Sequence, residues 1–113
     1  MIQRSTKFAL STLLFSVLVV GGSATPAKAA GDAAKGKDVF EQCSVCHNVD
    51  TDEKKMGPSL KGLFKKEKLT NGKKVTEESV TEQINNGGNG MPAYADMLSK
   101  EEKENVIAYL KTI

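Results

Sequence analysis

One short segment holds most of the residues that could bind a cofactor or do chemistry. Cys43 and Cys46, the two cysteines of the 113-residue sequence, are followed directly by His47, its single histidine. Thiolates are nucleophiles and metal ligands, and a neutral imidazole is a metal ligand too. The spacing Cys-x-x-Cys-His is typical of c-type haem attachment, in which two thiols bond to the vinyl groups and the imidazole binds the iron. The segment therefore predicts one covalent haem c.

Three other kinds of site use similar cysteine spacing. A structural zinc ion takes four Cys or His ligands, and this chain has two cysteines and one histidine. A thioredoxin-like dithiol accompanies strands that alternate with helices, and the sequence shows no such alternation. A plain structural disulfide in an exported protein is the third alternative. Haem attachment is the preferred interpretation.

The first thirty residues have the pattern of a secretory signal peptide. Two basic residues, Arg4 and Lys7, precede an apolar run over residues 8–20, and small residues follow. The run is too short to span the hydrocarbon core of a bilayer, which takes about 20 apolar residues. An uncleaved membrane anchor at the N-terminus is the alternative.

The end of this segment predicts where the chain is cut. Ala27-Lys28-Ala29 has the small-x-small pattern of a cleavage site, so we expect cleavage after Ala29 or Ala30. Residues 1–30 would then be removed, and residues 31–113 would form one domain without a membrane span. That domain is expected in the periplasm or elsewhere outside the cytoplasm.

Removal of the signal segment changes the charge of the protein. The whole sequence has a formal net charge of +2, but residues 31–113 contain thirteen lysines against fourteen acidic residues. A nearly neutral domain does not indicate nucleic-acid binding. The charges are distributed unevenly, since eight of the lysines lie between positions 54 and 74 and acidic residues predominate after position 76.

Four segments together resemble the small bacterial class I c-type cytochromes. They are GDAAKGKDVFEQCSVCH at residues 31–47, GPSL at 57–60, NGMPAY at 89–94 and VIAYL at 106–110. Their order and spacing make the resemblance specific, and it covers nearly all of the predicted domain. It implies an all-α fold in which the N- and C-terminal helices cross and loops enclose one covalently bound haem.

Helical periodicity and capping residues favour the same fold class. Asp32 can cap a first helix that extends to about Gln42, and Thr76 can cap a middle helix. Ser99 and Glu102 form a capping box for a last helix that should reach the C-terminus. The intervening residues, 48–74, show no sustained period and are predicted to be a loop with one short helical turn.

The resemblance also implies roles for single residues. Gly36 would let the last helix cross the first one closely, although a glycine within a helix costs about 1 kcal/mol against alanine. The Pro58 carbonyl would accept a hydrogen bond from the His47 ring, and such contacts fix the orientation of a ligating imidazole.

The second axial ligand of the iron decides between electron transfer and ligand binding. Because His47 is the only histidine, this position is filled by Met, Lys or water, or it is open. Met56 follows His47 too closely, and nothing around Met97 fixes its backbone. Met91 follows a glycine-rich loop and precedes Pro92, which restricts it to extended conformations. Since NGMPAY also resembles the distal loop of the family, we predict that Met91 binds the iron.

These observations predict a soluble carrier of single electrons and not an enzyme. Its partners would be redox proteins outside the cytoplasm, and we expect a monomer. A haem protein that binds peroxide or a gas and a haem subunit of a larger oxidoreductase complex are the alternatives. Six lysines could surround an exposed haem edge and attract a partner with an acidic docking face, although a solvated loop is the simpler interpretation. These lysines are Lys54, Lys55, Lys61, Lys65, Lys66 and Lys68.

Overall fold

A computed structural model describes residues 21–22 and 31–113, and three α-helices are its main elements. Helix α1 spans Ala33–Phe40, α2 spans Glu77–Asn86, α3 spans Lys100–Leu110, and a 3-10 helix spans Leu63–Lys65. Within these residues, backbone pairing of the β type is limited to two isolated bridges, Lys68 with Lys74 and Gly88 with Met91. The predicted all-α class is confirmed.

The predicted signal peptide lies outside the described residues, apart from Gly21 and Gly22. Its cleavage after Ala29 or Ala30 therefore stays a prediction. In the part of the chain that the structure describes, no helix is both long enough and apolar enough to cross a membrane.

Each α-helix begins after the capping residue that the sequence predicts. The Asp32 carboxylate accepts hydrogen bonds from two backbone N–H groups of the first turn of α1, at 2.8 and 3.2 Å. The Thr76 hydroxyl accepts from Ser79 N, and the Ser79 hydroxyl accepts from Thr76 N, both at 3.0 Å. Ser99 and Glu102 form the same reciprocal pair at α3, at 2.7 and 3.1 Å. These contacts satisfy N–H groups that a helix cannot satisfy itself.

Two helices end earlier than the sequence suggests. Helix α1 ends at Phe40 rather than near Gln42, because the chain tightens there. The Phe40 carbonyl accepts hydrogen bonds from both Cys43 N, at 2.8 Å, and Ser44 N, at 3.0 Å. Helix α3 ends at Leu110 and not at the C-terminus.

Helix α1 crosses α3 at Gly36, where the two backbones nearly touch. A Cβ atom at Gly36 would overlap the backbone of Asn105 and would lie only 2.9 Å from Tyr109 Cβ. The Phe40 ring packs one turn further along, with its centroid 5.3 Å from that of Tyr109. At the other end of the crossing, Asp32 N donates to Asn105 Oδ1 at 2.7 Å. The close crossing that the family resemblance implies is confirmed.

The apolar core is small and lies around this crossing. Its buried residues come from all three helices and the 3-10 helix: Phe40, Leu63, Val80, Val106, Ile107 and Leu110. A domain of about 80 residues is near the limit at which an apolar core alone offsets the entropy of folding. A cofactor bound against these residues is therefore expected to contribute to the stability of the fold.

The crossing predicts that Gly36→Ala destabilises the protein, by about 1–3 kcal/mol, because overpacking forces the two helices apart. At an exposed helical position the same change would stabilise by about 1 kcal/mol. The sign of the effect is therefore diagnostic in denaturant unfolding of the haem-bound protein. Lys35→Ala, on the exposed face of α1, is the control and should stay within about 0.5 kcal/mol of the parent. A more stable Gly36→Ala variant would contradict the crossing.

Candidate functional site

The segment from Cys43 to His47 is a tight turn that follows α1 directly. Cys46 N and His47 N both donate to the Cys43 carbonyl, at 3.1 and 3.0 Å. Both cysteines are free and half-buried, whereas Val45 between them is 71% exposed. The turn therefore directs the two thiols towards the interior and leaves the two residues between them, Ser44 and Val45, in solvent.

The Cys43 thiol differs from the reactive thiol of a redox-active dithiol. Burial raises the pKa of the Cys43 thiol, and the neighbouring Cys46 raises it further. Dithiols that act as nucleophiles have a lowered thiol pKa, because the thiolate is the reactive form. The surroundings of Cys43 therefore argue against the thioredoxin-like alternative.

The His47 imidazole is oriented by a backbone carbonyl. Its Nδ1 atom lies 2.7 Å from Pro58 O. Because a carbonyl oxygen can only accept, Nδ1 must carry the proton, and Nε2 keeps its lone pair. The hydrogen bond implied by the family resemblance is present, and Nε2 is the nitrogen left to bind a metal.

Gly57 makes room for the imidazole, a role that sequence reasoning did not predict. A Cβ atom at Gly57 would overlap the His47 Cε1 atom and would lie 2.8 Å from its Nδ1 atom. Gly57 N also donates to the Cys46 carbonyl at 2.8 Å, which ties this loop to the attachment turn. Its signals in the sequence are the pair Gly57-Pro58, which predicts a turn of any kind, and the match of GPSL to the family, which does not by itself indicate a contact with the imidazole.

Met91 lies in a loop that is tied to the end of α2. Gly88 N donates to Met91 O at 2.9 Å, and Met91 N donates to Gly88 O at 3.0 Å. Gly87, which ends α2, has φ 60° and ψ −144°, a conformation that residues other than glycine rarely adopt. A Cβ atom there would also overlap the Met91 carbonyl. The glycines thus allow the sharp turn that the sequence predicts and fix the Met91 backbone.

The three methionines of the described domain differ in exposure. Met56 is 82% exposed and Met97 is 64% exposed, whereas Met91 is half-buried. A thioether that binds an enclosed metal needs to face the interior, so Met91 is the best placed of the three. Ligation of iron by Met91 itself stays a prediction.

Tyr94 ties the Met91 loop to α2. Its backbone N–H donates to the Ile84 carbonyl of α2 at 2.9 Å. The pKa of its hydroxyl is raised by burial first and then by the charges of Cys43 and Cys46. The segment that follows Met91 is therefore held against the same helix as the glycine-rich turn that precedes it.

Gln83 is a second contributor that the sequence did not reveal. Its Nε2 atom donates to the Gly87 carbonyl at 3.0 Å and lies 3.9 Å from Met91 Sδ, within the range of a weak N–H···S contact. In the sequence, Gln83 is only a polar residue of a predicted helix. Its role becomes visible once the chain turns back at Gly87 and brings Met91 beside α2.

These side chains fit a c-type haem. Cys43 and Cys46 would hold the porphyrin through thioether bonds, and His47 and Met91 would supply one nitrogen and one sulfur to the iron. This pair of axial donors occurs in cytochromes c. The space that Gly57 leaves for the imidazole and the burial of both thiols agree with a group enclosed between the attachment turn and the Met91 loop.

Comparison with known proteins gives the family. Residues 31–110 match the family described as "Cytochrome C oxidase, cbb3-type, subunit III". The chain is 34% identical over 116 residues to cytochrome c2 of Blastochloris viridis, a match that covers 88% of this chain and 91% of that protein. It is 37% identical over 103 residues to cytochrome c6 of Rippkaea orientalis, with 89% of each chain covered. The likeness thus extends well beyond the Cys-x-x-Cys-His segment.

The fold agrees with these relatives. The solved structure of cytochrome c6 from the diatom Phaeodactylum tricornutum superimposes with a TM-score of 0.57 at 33% identity, and the match covers 73% of this chain and 93% of that chain. With the attachment turn, the crossing helices and the matches along the domain in agreement, the chain belongs to the class I c-type cytochromes and binds one covalent haem c.

Proposed function

We propose that this chain is a monomeric electron carrier outside the cytoplasm, in which His47 and Met91 bind the two axial positions of the iron. The observation that carries the proposal is the half-buried Met91 on a backbone held by two hydrogen bonds to Gly88. A thioether held there leaves no axial position for a substrate. This favours electron transfer over peroxide or gas chemistry, and over an enzymatic role.

The protein residues keep both donors in place while the charge changes. The bound haem supplies a centre that gains and loses one electron, and a methionine ligand raises its reduction potential. The Pro58 carbonyl holds the His47 ring in one tautomer, and the Gly88 backbone holds Met91. Because none of these contacts requires a proton to move, exchange needs only the approach of a partner protein.

Gly31, next to the predicted cleavage site, packs against the last helix. A Cβ atom at Gly31 would overlap the backbone of Glu104 in α3, so the chain is packed against the last helix from residue 31 onward. Cleavage after Ala29 or Ala30 would therefore leave the packed domain intact. This agrees with a signal peptide of residues 1–30 and a mature domain of residues 31–113.

We predict that replacing both Cys43 and Cys46 by Ala abolishes accumulation of the haem-bound protein in the exported fraction. In the parent protein, the intact mass should equal the chain from Ala30 or Gly31 plus one haem, and the haem should resist acid–acetone extraction. Ser44→Ala, on the exposed side of the same turn, is the control and should accumulate normally. A precursor mass would contradict the predicted processing, and a haem that extracts freely from the parent would contradict covalent attachment.

We predict that Met91→Ala removes the weak far-red absorption of ferric iron–sulfur ligation. The reduction potential should fall, because the thioether favours ferrous iron, and the reduced protein should bind carbon monoxide stoichiometrically. Met97→Ala is the control, since Met97 is 64% exposed, and it should change none of these properties. The assignment is wrong if the two variants behave the other way round.

The lysines between positions 54 and 68 predict electrostatic steering of an acidic partner. Lys55 is the best candidate, because its Nζ atom donates to the Ser44 carbonyl at 3.0 Å and so lies beside the attachment turn. Steering raises association rates by about 10- to 1,000-fold and weakens with salt. Reduction of the partner should therefore slow steeply as ionic strength rises, and Lys55→Glu should slow it further at low salt.

The control for this experiment is Lys100→Glu. The Lys100 side chain is 78% exposed and forms only a loose ion pair with Glu104, at 3.9 Å. Lys111 is unsuitable, because it pairs with Glu77 and lies over the Phe64 ring. Equal rates for Lys55→Glu and Lys100→Glu, with no dependence on salt, would leave the lysines as a solvated loop.

A further inference from the structure

We propose that Asn71 is a positioning residue that fixes the orientation of the Gln83 side-chain amide. In that orientation the N–H group of Gln83, and not its carbonyl oxygen, faces the Met91 sulfur. The inference rests on the proposed ligation of iron by Met91. It concerns a residue in the loop before α2, twelve positions from Gln83 in the sequence, which does not itself touch the sulfur.

The outer end of this chain of contacts is fixed by a backbone donor. Lys73 N lies 2.9 Å from Asn71 Oδ1, and a backbone N–H can only donate. The Asn71 oxygen must therefore face Lys73, which leaves the Asn71 amide nitrogen for its second partner. That nitrogen lies 3.1 Å from Gln83 Oε1.

The inner end is fixed by a backbone acceptor. Gln83 Nε2 lies 3.0 Å from the Gly87 carbonyl, which can only accept. The same nitrogen lies 3.9 Å from Met91 Sδ. If the Gln83 amide were turned over, its oxygen would face the Gly87 carbonyl oxygen, and Asn71 would meet a donor instead of an acceptor. Because a backbone group sets each end, only one orientation of the Asn71 and Gln83 side-chain amides satisfies all the hydrogen bonds between them.

Asn71 is itself held in a tight turn. Leu69 N donates to the Lys73 carbonyl at 2.8 Å, and Gly72 N donates to the Leu69 carbonyl at 2.9 Å. Gly72 has φ 85°, in the region that favours glycine. Leu69 packs against the apolar core, so the turn is attached to the body of the protein. Asn71 therefore offers its amide from a defined position.

A water molecule could not replace Asn71 in this role. Asn71 and Gln83 line an open polar pocket of about 50 Å³ together with Lys73, Ser79, Glu82 and Asn86, so water can reach the Gln83 amide from outside. Water both donates and accepts, so it would satisfy the outward-facing atom of Gln83 in either orientation and would leave the Gly87 carbonyl as the one group that selects between them. The Asn71 amide nitrogen only donates, and it therefore selects the orientation that directs N–H towards sulfur.

The orientation matters because an N–H near the sulfur draws electron density from it. The sulfur then donates less to the iron, and ferric iron, which needs that donation more, is disfavoured. Asn71 should in this way raise the reduction potential. Hydrogen bonds to a ligand are a recognised means by which proteins tune a metal centre.

Asn71→Asp tests the proposal with little change in shape. The carboxylate still accepts from Lys73 N–H, but it presents only acceptors to Gln83, so the Gln83 amide should turn its nitrogen outward. We expect the ferrous-to-ferric equilibrium constant to fall about three- to tenfold, where tenfold corresponds to about 59 mV for one electron. The far-red band of the ferric protein should persist, because Met91 still binds.

Two controls separate this effect from the added negative charge. Asn86→Asp places the same charge on the same pocket and should shift the potential less. In a Gln83→Leu background, Asn71→Asp should lower the reduction potential no more than Asn86→Asp does, because the Gln83 amide through which Asn71 acts is absent. The role of Asn71 would be overturned if the two Asp variants shifted the reduction potential equally. It would also be overturned if the larger shift from Asn71→Asp persisted in the Gln83→Leu background.

A measurement on the parent protein does not depend on how the variants fold. In the reduced haem-bound protein, NMR should show nuclear Overhauser contacts between the Gln83 side-chain amide protons and the Met91 side chain. Their absence would also overturn the proposal. If the far-red band is missing from the parent, the ligation by Met91 fails and the proposal fails with it. If the band is present but Asn71→Asp shifts the reduction potential no more than Asn86→Asp, only the role of Asn71 is wrong.

Discussion

The close approach of α1 to α3 at Gly36 is the constraint on which the rest of the structure depends. With no side chain at Gly36, the backbone of α1 contacts that of Asn105, and Phe40 reaches Tyr109 and the core. The attachment turn begins directly after Phe40, whose carbonyl accepts from Cys43 N. A shift of α1 would therefore move both thiols and the imidazole. The position of the cofactor is thus set by helix packing rather than by the loops alone.

The two proposed axial donors are held by separate parts of the chain, in physically similar ways. The His47 ring is fixed by the Pro58 carbonyl, and the Met91 backbone is fixed by Gly88. Backbone groups suit this task because they cannot change protonation state or rotate away. Gly57 and Gly87 let the chain approach each donor where a side chain would collide with it. The loops therefore supply fixed dipoles and space, while the helices supply position.

The sequence predicted the elements that depend on local patterns. Asp32, Thr76 and Ser99 cap the helices as expected, because N-terminal capping is decided within four residues. It did not predict contacts that depend on the return of the chain to an earlier element. Gly57 at the imidazole and Gln83 at the sulfur belong to this class, since neither carries a local signal beyond a turn or a polar helical residue. The crossing at Gly36 was predicted through the family resemblance and not from the pattern alone.

The division between core and loop has a consequence for how the redox centre is tuned. The residues that keep the fold together, such as Phe40 and Val106, are buried and apolar, and changing them costs stability. The Met91 sulfur is instead contacted by the Gln83 amide, which is hydrogen-bonded to Asn71 on an exposed turn. Because surface substitutions usually change stability little, polarity at the sulfur can be altered from outside without repacking the core. If Met91 binds the iron as proposed, the fold separates the residues that hold the iron ligands from those that set the electron density on the sulfur.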